Sequence, residues 1–155
     1  SLHNLYGPTE CAVDVTYYDC TEKDRNADVI PIGKPIYNTQ IHILNERTKL
    51  VPVGVTGELC IAGANVGQGY LNNPELTKEK FIDNPFGEGT LYRTGDLAYW
   101  REDGNIIFCG RNDDQVKIRG LRIELGEIEN IISEITDIES VAVIIKENNG
   151  QDGSK

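Results

Sequence analysis

Gly110-Arg111-Asn112-Asp113-Asp114-Gln115-Val116-Lys117-Ile118-Arg119-Gly120-Leu121-Arg122-Ile123-Glu124-Leu125-Gly126-Glu127-Ile128-Glu129 is where the pattern of this chain changes. Val116 and Ile118 alternate with Lys117 and Arg119, Gly120 permits a tight turn, and residues 121–125 extend again. That pattern predicts a small two-stranded ribbon. Leu125, Ile128, Ile131, Ile132 and Ile135 then fall at helical spacing, with Glu127 and Glu129 in the first turn, where the helix dipole favours negative charge. The apolar run 141–145 predicts a strand buried on both faces. Residues 111–114 would therefore join two packed units and act as a hinge.

Upstream, the chain reads as β structure. Residues 12–18 are β-rich, 40–44 alternate as a half-buried strand does, and 50–54 supply a turn before a strand over 57–62. Pro74 opens a short helix with Glu75 in its first turn, and residues 91–100 and 105–109 pair as a hairpin through Asp103-Gly104. The fold class predicted is mostly β with α+β character: an antiparallel, barrel-like unit over 1–110, a hinge at 111–114, and the first part of a small unit over 115–155. His3 and His42 read as ordinary structural histidines.

Composition narrows the function classes. Twenty-five carboxylates against 15 lysines and arginines give a net charge of −10, which repels nucleic acid and anionic membranes, so neither is expected as a partner. No apolar run reaches membrane-spanning length and no signal-peptide pattern opens the chain. Cys11, Cys20, Cys60 and Cys109 lack metal-type spacing and are expected as free, reduced thiols of a cytoplasmic protein. The 155 residues contain no Met, which points to processing or to excision from a longer chain.

Two further segments carry chemistry. In Asn4-Leu5-Tyr6-Gly7-Pro8-Thr9-Glu10, Gly7-Pro8 enforces a bend that presents a ring at Tyr6, a small donor at Thr9 and a hard oxygen ligand suited to Mg²⁺ at Glu10. In Tyr92-Arg93-Thr94-Gly95-Asp96-Leu97, one carboxylate follows a glycine and can accept two hydrogen bonds from vicinal hydroxyls, as a ribose presents. Taken alone, each also reads as a surface turn or a core residue.

Together with the stretch that opened this section, and with Gly57-Glu58-Leu59-Cys60-Ile61-Ala62-Gly63 and Gly69-Tyr70-Leu71-Asn72-Asn73-Pro74-Glu75-Leu76-Thr77, these segments resemble the adenylate-forming ligases. Within that superfamily they look like the amino-acid adenylation domains of nonribosomal peptide synthetases. The resemblance runs from Asn4 to about Glu129. It implies a distorted antiparallel β-barrel subdomain followed by the start of a small α+β C-terminal subdomain. It implies ATP-dependent formation of an aminoacyl-AMP and transfer of the aminoacyl group to the phosphopantetheine thiol of a peptidyl carrier protein.

By the same resemblance Tyr6 stacks on adenine beside Gly7, Thr9 binds the α-phosphate, Glu10 holds Mg²⁺, Asp96 bridges the ribose hydroxyls and Arg111 adds a contact there. Asp113 is the hinge position, and the ribbon around Arg119-Gly120 lines the thiol channel. Leu5, Val13 and Asp14 line part of the side-chain pocket, and Asp14 there favours a polar guest, with serine or glutamine leading and a cationic side chain open. The alternative is that Asp14 is hydrated or paired with an upstream Lys or Arg. The family's Gly/Ser/Thr-rich phosphate loop and its adenylation lysine are expected outside these residues, which leaves the isolated chain inactive. Two other readings stay open: another acyl- or aryl-activating ligase, and a non-catalytic scaffold that kept the fold. Asn65 and Asn112 depart from the commonest family pattern.

Overall fold

The structure, a computed structural model, describes residues 1–112, 115–118, 121–135, 138 and 140–144. The chain separates into two compact units, the first ending at Asn112. In the first unit β1 (Leu2–Tyr6), β2 (Thr16–Cys20) and β3 (Lys34–Pro35) form a small antiparallel sheet in that order. A larger antiparallel sheet holds β4 (Thr39–Leu44), β5 (Gly57–Gly63), β7 (Thr90–Trp100) and β6 (Phe81–Asp83), with β8 (Ile106–Arg111) also paired to β7. The α-helix α1 (Pro74–Lys80) precedes β6, and a 3₁₀ turn over Glu22–Asn26 follows β2. The result is a curled half-barrel with few helices.

Alternation explains most of it. Along β5, Leu59 and Ile61 enter the main core with Tyr6, Val15, Ile41, Ile43 and Tyr92, while Cys60 and Ala62 enter a second cluster with Leu44 and Leu91. A strand covered on both faces reads as a continuous apolar run, which is what Leu59-Cys60-Ile61-Ala62 is. Leu59 and Ile61 have no exposed surface, and burying each such side chain stabilises by roughly 1.5–3 kcal/mol. Pro74 sits in the first turn of α1 and Asn73 caps it, its side chain accepting from the Leu76 amide at 3.1 Å. The β7–β8 hairpin turns through Asp103-Gly104, with the Arg101 amide bonded to the Asn105 carbonyl at 2.8 Å.

The small sheet is fastened to the large one by polar bonds. Asn4 Nδ2 donates to the Pro31 carbonyl at 2.8 Å, the Thr16 hydroxyl to the Ile32 carbonyl at 2.6 Å, and the Ile32 amide to the Ile106 carbonyl at 2.9 Å. These bonds link β1 and β2 through residues 31–32 to the start of β8. Between β1 and β2 the chain folds back so tightly that a Cβ on Gly7 would lie 2.0 Å from the Val13 carbonyl oxygen. Glycine is therefore obligatory there.

Two expectations are corrected. The predicted strand over 12–18 begins only at Thr16, because Val13 takes a left-handed φ of 58° and the Ala12 amide is committed to the Asn65 carbonyl at 2.8 Å. Residues 141–144 form no strand: the Val143 amide bonds the Glu129 carboxylate at 2.8 Å instead of a neighbouring strand, and Ile144 is exposed.

In the second unit β9 (Gln115–Ile118) and β10 (Leu121–Glu124) pair antiparallel, Ile118 opposite Leu121, and run into α2 (Leu125–Ser133). Leu125 is buried there while Ile131 is exposed. Among the described residues no helix is long and apolar enough to cross a membrane.

All four cysteines are free. Burial first, then the Glu10 charge, pushes the Cys11 thiol up to about 12, and burial first, then Glu58, does the same for Cys60. Cys109 is exposed. In native protein at pH 8 a thiol reagent should therefore label Cys109 and spare Cys11 and Cys60, as peptide mapping would report. Because both buried thiols have raised values, the unfolded chain releases their protons first, so folding stability should decline as pH climbs from 9 toward 12. Native labelling of Cys11 or Cys60 at pH 8 would contradict this packing.

Candidate functional site

The site is built on an irregularity in β7. From Cys60 opposite Arg93 to Glu58 opposite Leu97, β5 advances two residues while β7 advances four, so residues 94–96 bulge out of the ladder. Gly95 supplies the positive φ of 75° that the bulge needs. The Thr94 hydroxyl donates to the Leu59 carbonyl at 2.6 Å and accepts the Asp96 amide at 2.9 Å, pinning both ends. Glu58 completes the clamp: its Oε2 takes Arg93 Nη2 at 2.6 Å and Nε at 3.1 Å, and its Oε1 takes the Gly95 amide at 3.2 Å.

The bulge delivers Asp96 inward, where it is 6% exposed. One carboxylate oxygen accepts the Tyr6 hydroxyl at 2.5 Å and the other accepts Arg111 Nη1 at 2.6 Å. Arg111 stands directly across from Asp96 in the β7–β8 ladder, so register alone brings charge to charge. Burial, then the Asp96 charge, raises the Tyr6 phenol far above its ordinary value, so the hydroxyl stays a donor. The Tyr6 ring is itself 9% exposed and tilts against Phe108 with centroids 6.3 Å apart.

Glu10 belongs to a second grouping. Its Oε1 accepts the Tyr70 hydroxyl at 2.7 Å, and the Glu10 carbonyl accepts the Gly67 amide at 2.9 Å. The Tyr92 phenol is also raised, by burial first and then by Tyr70 and Glu10. Thr9 is exposed beside it. Among the described residues no three His, Cys, Asp or Glu side chains gather to cage a metal. A Mg²⁺ ion suits a single carboxylate, because it keeps waters and takes the rest of its shell from substrate phosphates. Glu10 with its fixed carboxylate fits that mode.

The predicted site residues thus divide. Tyr6, Asp96 and Arg111 form one hydrogen-bonded unit, and Glu10, three residues after Gly7, is held separately by Tyr70. Leu5 and Val13 are exposed and Asp14 is half-buried. Asp113, Arg119 and Gly120 lie outside the described residues. A cleft of about 450 Å³ opens beside the Glu58–Arg93 pair, lined also by Asn45, Arg47, Thr56 and Asn112, and by none of the predicted site residues. Sequence reasoning missed Glu58, Arg93 and Thr94 as the clamp on Asp96, and Tyr70 as the partner of Glu10. The available signal was a glutamate inside an apolar strand, which demands a cation.

The arrangement has known counterparts. The AMP-binding enzyme family matches residues 1–71. Tyrocidine synthase 3 of Brevibacillus parabrevis is 53% identical over 151 residues, 96% of this chain and 2% of that protein. Bacitracin synthase 1 of Bacillus licheniformis is 56% identical over 148 residues, 95% of this chain and 3% of that protein. A solved NRPS protein containing adenylation and PCP domains superposes with a TM-score of 0.82 at 35% identity, over 95% of this chain and 30% of its own. The chain therefore spans only a small part of the proteins it matches.

Tyr6→Phe removes one of two donors from a buried carboxylate and should lower stability by about 1–3 kcal/mol. Urea denaturation of the protein carrying this chain checks it: an unshifted midpoint would mean that Asp96 finds another donor and that Tyr6 does not hold it.

Proposed function

Because the chain belongs to the AMP-binding enzyme family, as a stretch of an adenylation domain of the nonribosomal-peptide-synthetase kind, we propose that its protein activates an amino acid with ATP. The observation that supports this most is the Asp96 carboxylate, oriented through both oxygens by Tyr6 and Arg111. A carboxylate held in one rotamer offers its remaining lone pairs in a fixed direction, as recognition of a vicinal diol requires.

In the proposed reaction an oxygen of the amino-acid carboxylate attacks the α-phosphorus of ATP, and the bond to pyrophosphate breaks. Aminoacyl-AMP and pyrophosphate result. The phosphopantetheine thiol of a carrier protein then loses its proton and attacks the acyl carbon, and AMP leaves as the thioester forms. Most of the first step is positioning and charge neutralisation, which is what these residues offer. Asp96 takes the ribose hydroxyls with Arg111 beside it, Tyr6 and Gly7 border the base, and exposed Thr9 donates to the α-phosphate. Glu10 would hold Mg²⁺, which when bound offsets phosphate charge.

The small unit supplies the remaining proposed roles: Asp113 as hinge, and Arg119 with Gly120 as lining of the thiol channel. A hinge there makes Asp113→Pro affect the two half-reactions unequally; an equal fall in both, with folding intact, would remove it. Leu5, Val13 and Asp14 are proposed as part of the side-chain pocket. Asp14 would penalise an aliphatic guest, since a desolvated carboxylate needs a donor. Serine, glutamine or a cationic amino acid is therefore expected to lead a substrate panel, and a preference for leucine or valine unchanged by Asp14→Ala would sink that assignment.

The central test is amino-acid-dependent exchange of pyrophosphate into ATP by the full-length protein. Asp96→Asn weakens two bonds to the ribose and should raise the KM for ATP about tenfold or more, in line with ~1.5–3 kcal/mol for a hydrogen bond to a charged group. An unchanged KM would refute the ribose role. The 155 residues alone are proposed to give no exchange above background, because the phosphate loop and lysine expected of the family are not among them.

A further inference from the structure

We infer that Tyr70 is a positioning residue for Glu10, and that the segment 69–81 exists in this fold to aim one hydroxyl at that carboxylate. The inference rests on Glu10 being the metal-binding carboxylate of the proposed reaction, and it adds a residue that the reading itself does not assign. Its first observation is the bond itself: Tyr70 Oη donates to Glu10 Oε1 at 2.7 Å across sixty residues of sequence. A carboxylate has about four acceptor directions, so the Tyr70 hydroxyl helps fix its plane, with the Tyr92 phenol also against Glu10.

The second observation is how much structure holds Tyr70. Its amide donates to the Thr77 hydroxyl of α1 at 2.8 Å, and that hydroxyl donates onward to the Asn73 carbonyl at 2.8 Å. Just before it, Gly69 has a φ of 130°, and a Cβ there would sit 2.3 Å from Thr77 Cγ2, so α1 packs directly on this backbone. The ring meets Phe81 edge-on at 5.5 Å, and Phe81 in turn packs on Tyr92 at 4.8 Å. Loop, helix and β6 thus fix both the backbone and the ring of Tyr70. A residue that only filled space would need the ring contacts and not the hydroxyl.

The third is the backbone on the Glu10 side. The Gly67 amide bonds the Glu10 carbonyl at 2.9 Å and the Asn65 carbonyl takes the Ala12 amide at 2.8 Å, so residues 65–67 grip residues 10–12. A Cβ on Gly67 would fall 2.8 Å from the Glu10 carbonyl oxygen. The main chain of Glu10 is held by one end of this segment and its side chain by the next. Partners of this kind orient a metal-binding carboxylate and set its affinity for the ion.

The experiment uses the full-length protein and manganese(II) with ATP as the probe, read by electron paramagnetic resonance. Tyr70→Phe keeps the ring and removes the hydroxyl. It should weaken manganese binding in the ATP complex about tenfold, the lower end for an outer partner of a metal ligand, with the fold retained and metal-free AMP affinity unchanged. Thr77→Val, which loosens the Tyr70 backbone, should give a smaller loss in the same direction. If Tyr70→Phe binds manganese as the parent does while Glu10→Gln does not, the inference is overturned and the functional reading stands. If Glu10→Gln also binds as the parent does, the metal role of Glu10 falls and takes the inference with it.

Discussion

The carboxylate of Asp96 is the constraint on which the first unit turns. It is nearly sealed from water, and a buried charge is tolerated only when its oxygens are bonded and a cation lies near. Tyr6 and Arg111 meet that requirement from positions ninety residues before it and fifteen after it. The small sheet must therefore bring β1 up to the bulge, and β8 must keep its register with β7 to the last pair. Asn112 closes the same knot, its amide bonded to the Gly95 carbonyl at 2.8 Å. The end of the first unit is thereby tied to the residue that makes the bulge possible.

The bulge also shows why the stretch 94–96 is more than a turn. Inserting two residues into β7 breaks the ladder, and the freed groups need other partners. Glu58 and Thr94 supply them: one carboxylate bonds Arg93 and the Gly95 amide, and one hydroxyl bridges Leu59 and Asp96. Glu58 is also half of an ion pair whose side chains are 12% and 39% exposed, so the screening that weakens surface pairs acts on it only partly. Its structural value is geometric, because without it Gly95 loses its anchor and Asp96 its direction.

What the sequence revealed follows from range. Local alternation predicted β4, β5, the β7–β8 hairpin and the β9–β10 ribbon, and Pro74 after Asn73 placed the start of α1. Each signal lies within a dozen residues. Glu58 with Arg93, and Glu10 with Tyr70, lie thirty-five and sixty residues apart, and no local period encodes which carboxylate a hydroxyl will reach. The stretch 141–144 of the apolar run misled for a related reason: apolarity announces burial, yet a strand also needs a partner edge, and the Val143 amide is bonded to Glu129. Cys60 in β5 is buried, whereas Cys109, in an equally strand-like setting, faces outward.

The two carboxylates of the site are held in different ways, and the difference matches the work proposed for them. Asp96 is enclosed and carries its own guanidinium, so it can meet neutral hydroxyls without importing charge. Glu10 is half-buried and receives a neutral hydroxyl from Tyr70. On the proposed reading it faces a triphosphate, and two unit negative charges 4 Å apart at a surface-like effective dielectric repel by about 4 kcal/mol. A chain of net charge −10 does little to relieve that. A divalent cation reverses the sign of the interaction, so the repulsion itself makes nucleotide binding depend on the ion. The Tyr70 hydroxyl orients the Glu10 carboxylate without itself adding charge, where a lysine or arginine in its place would bring a positive charge that competes with the metal.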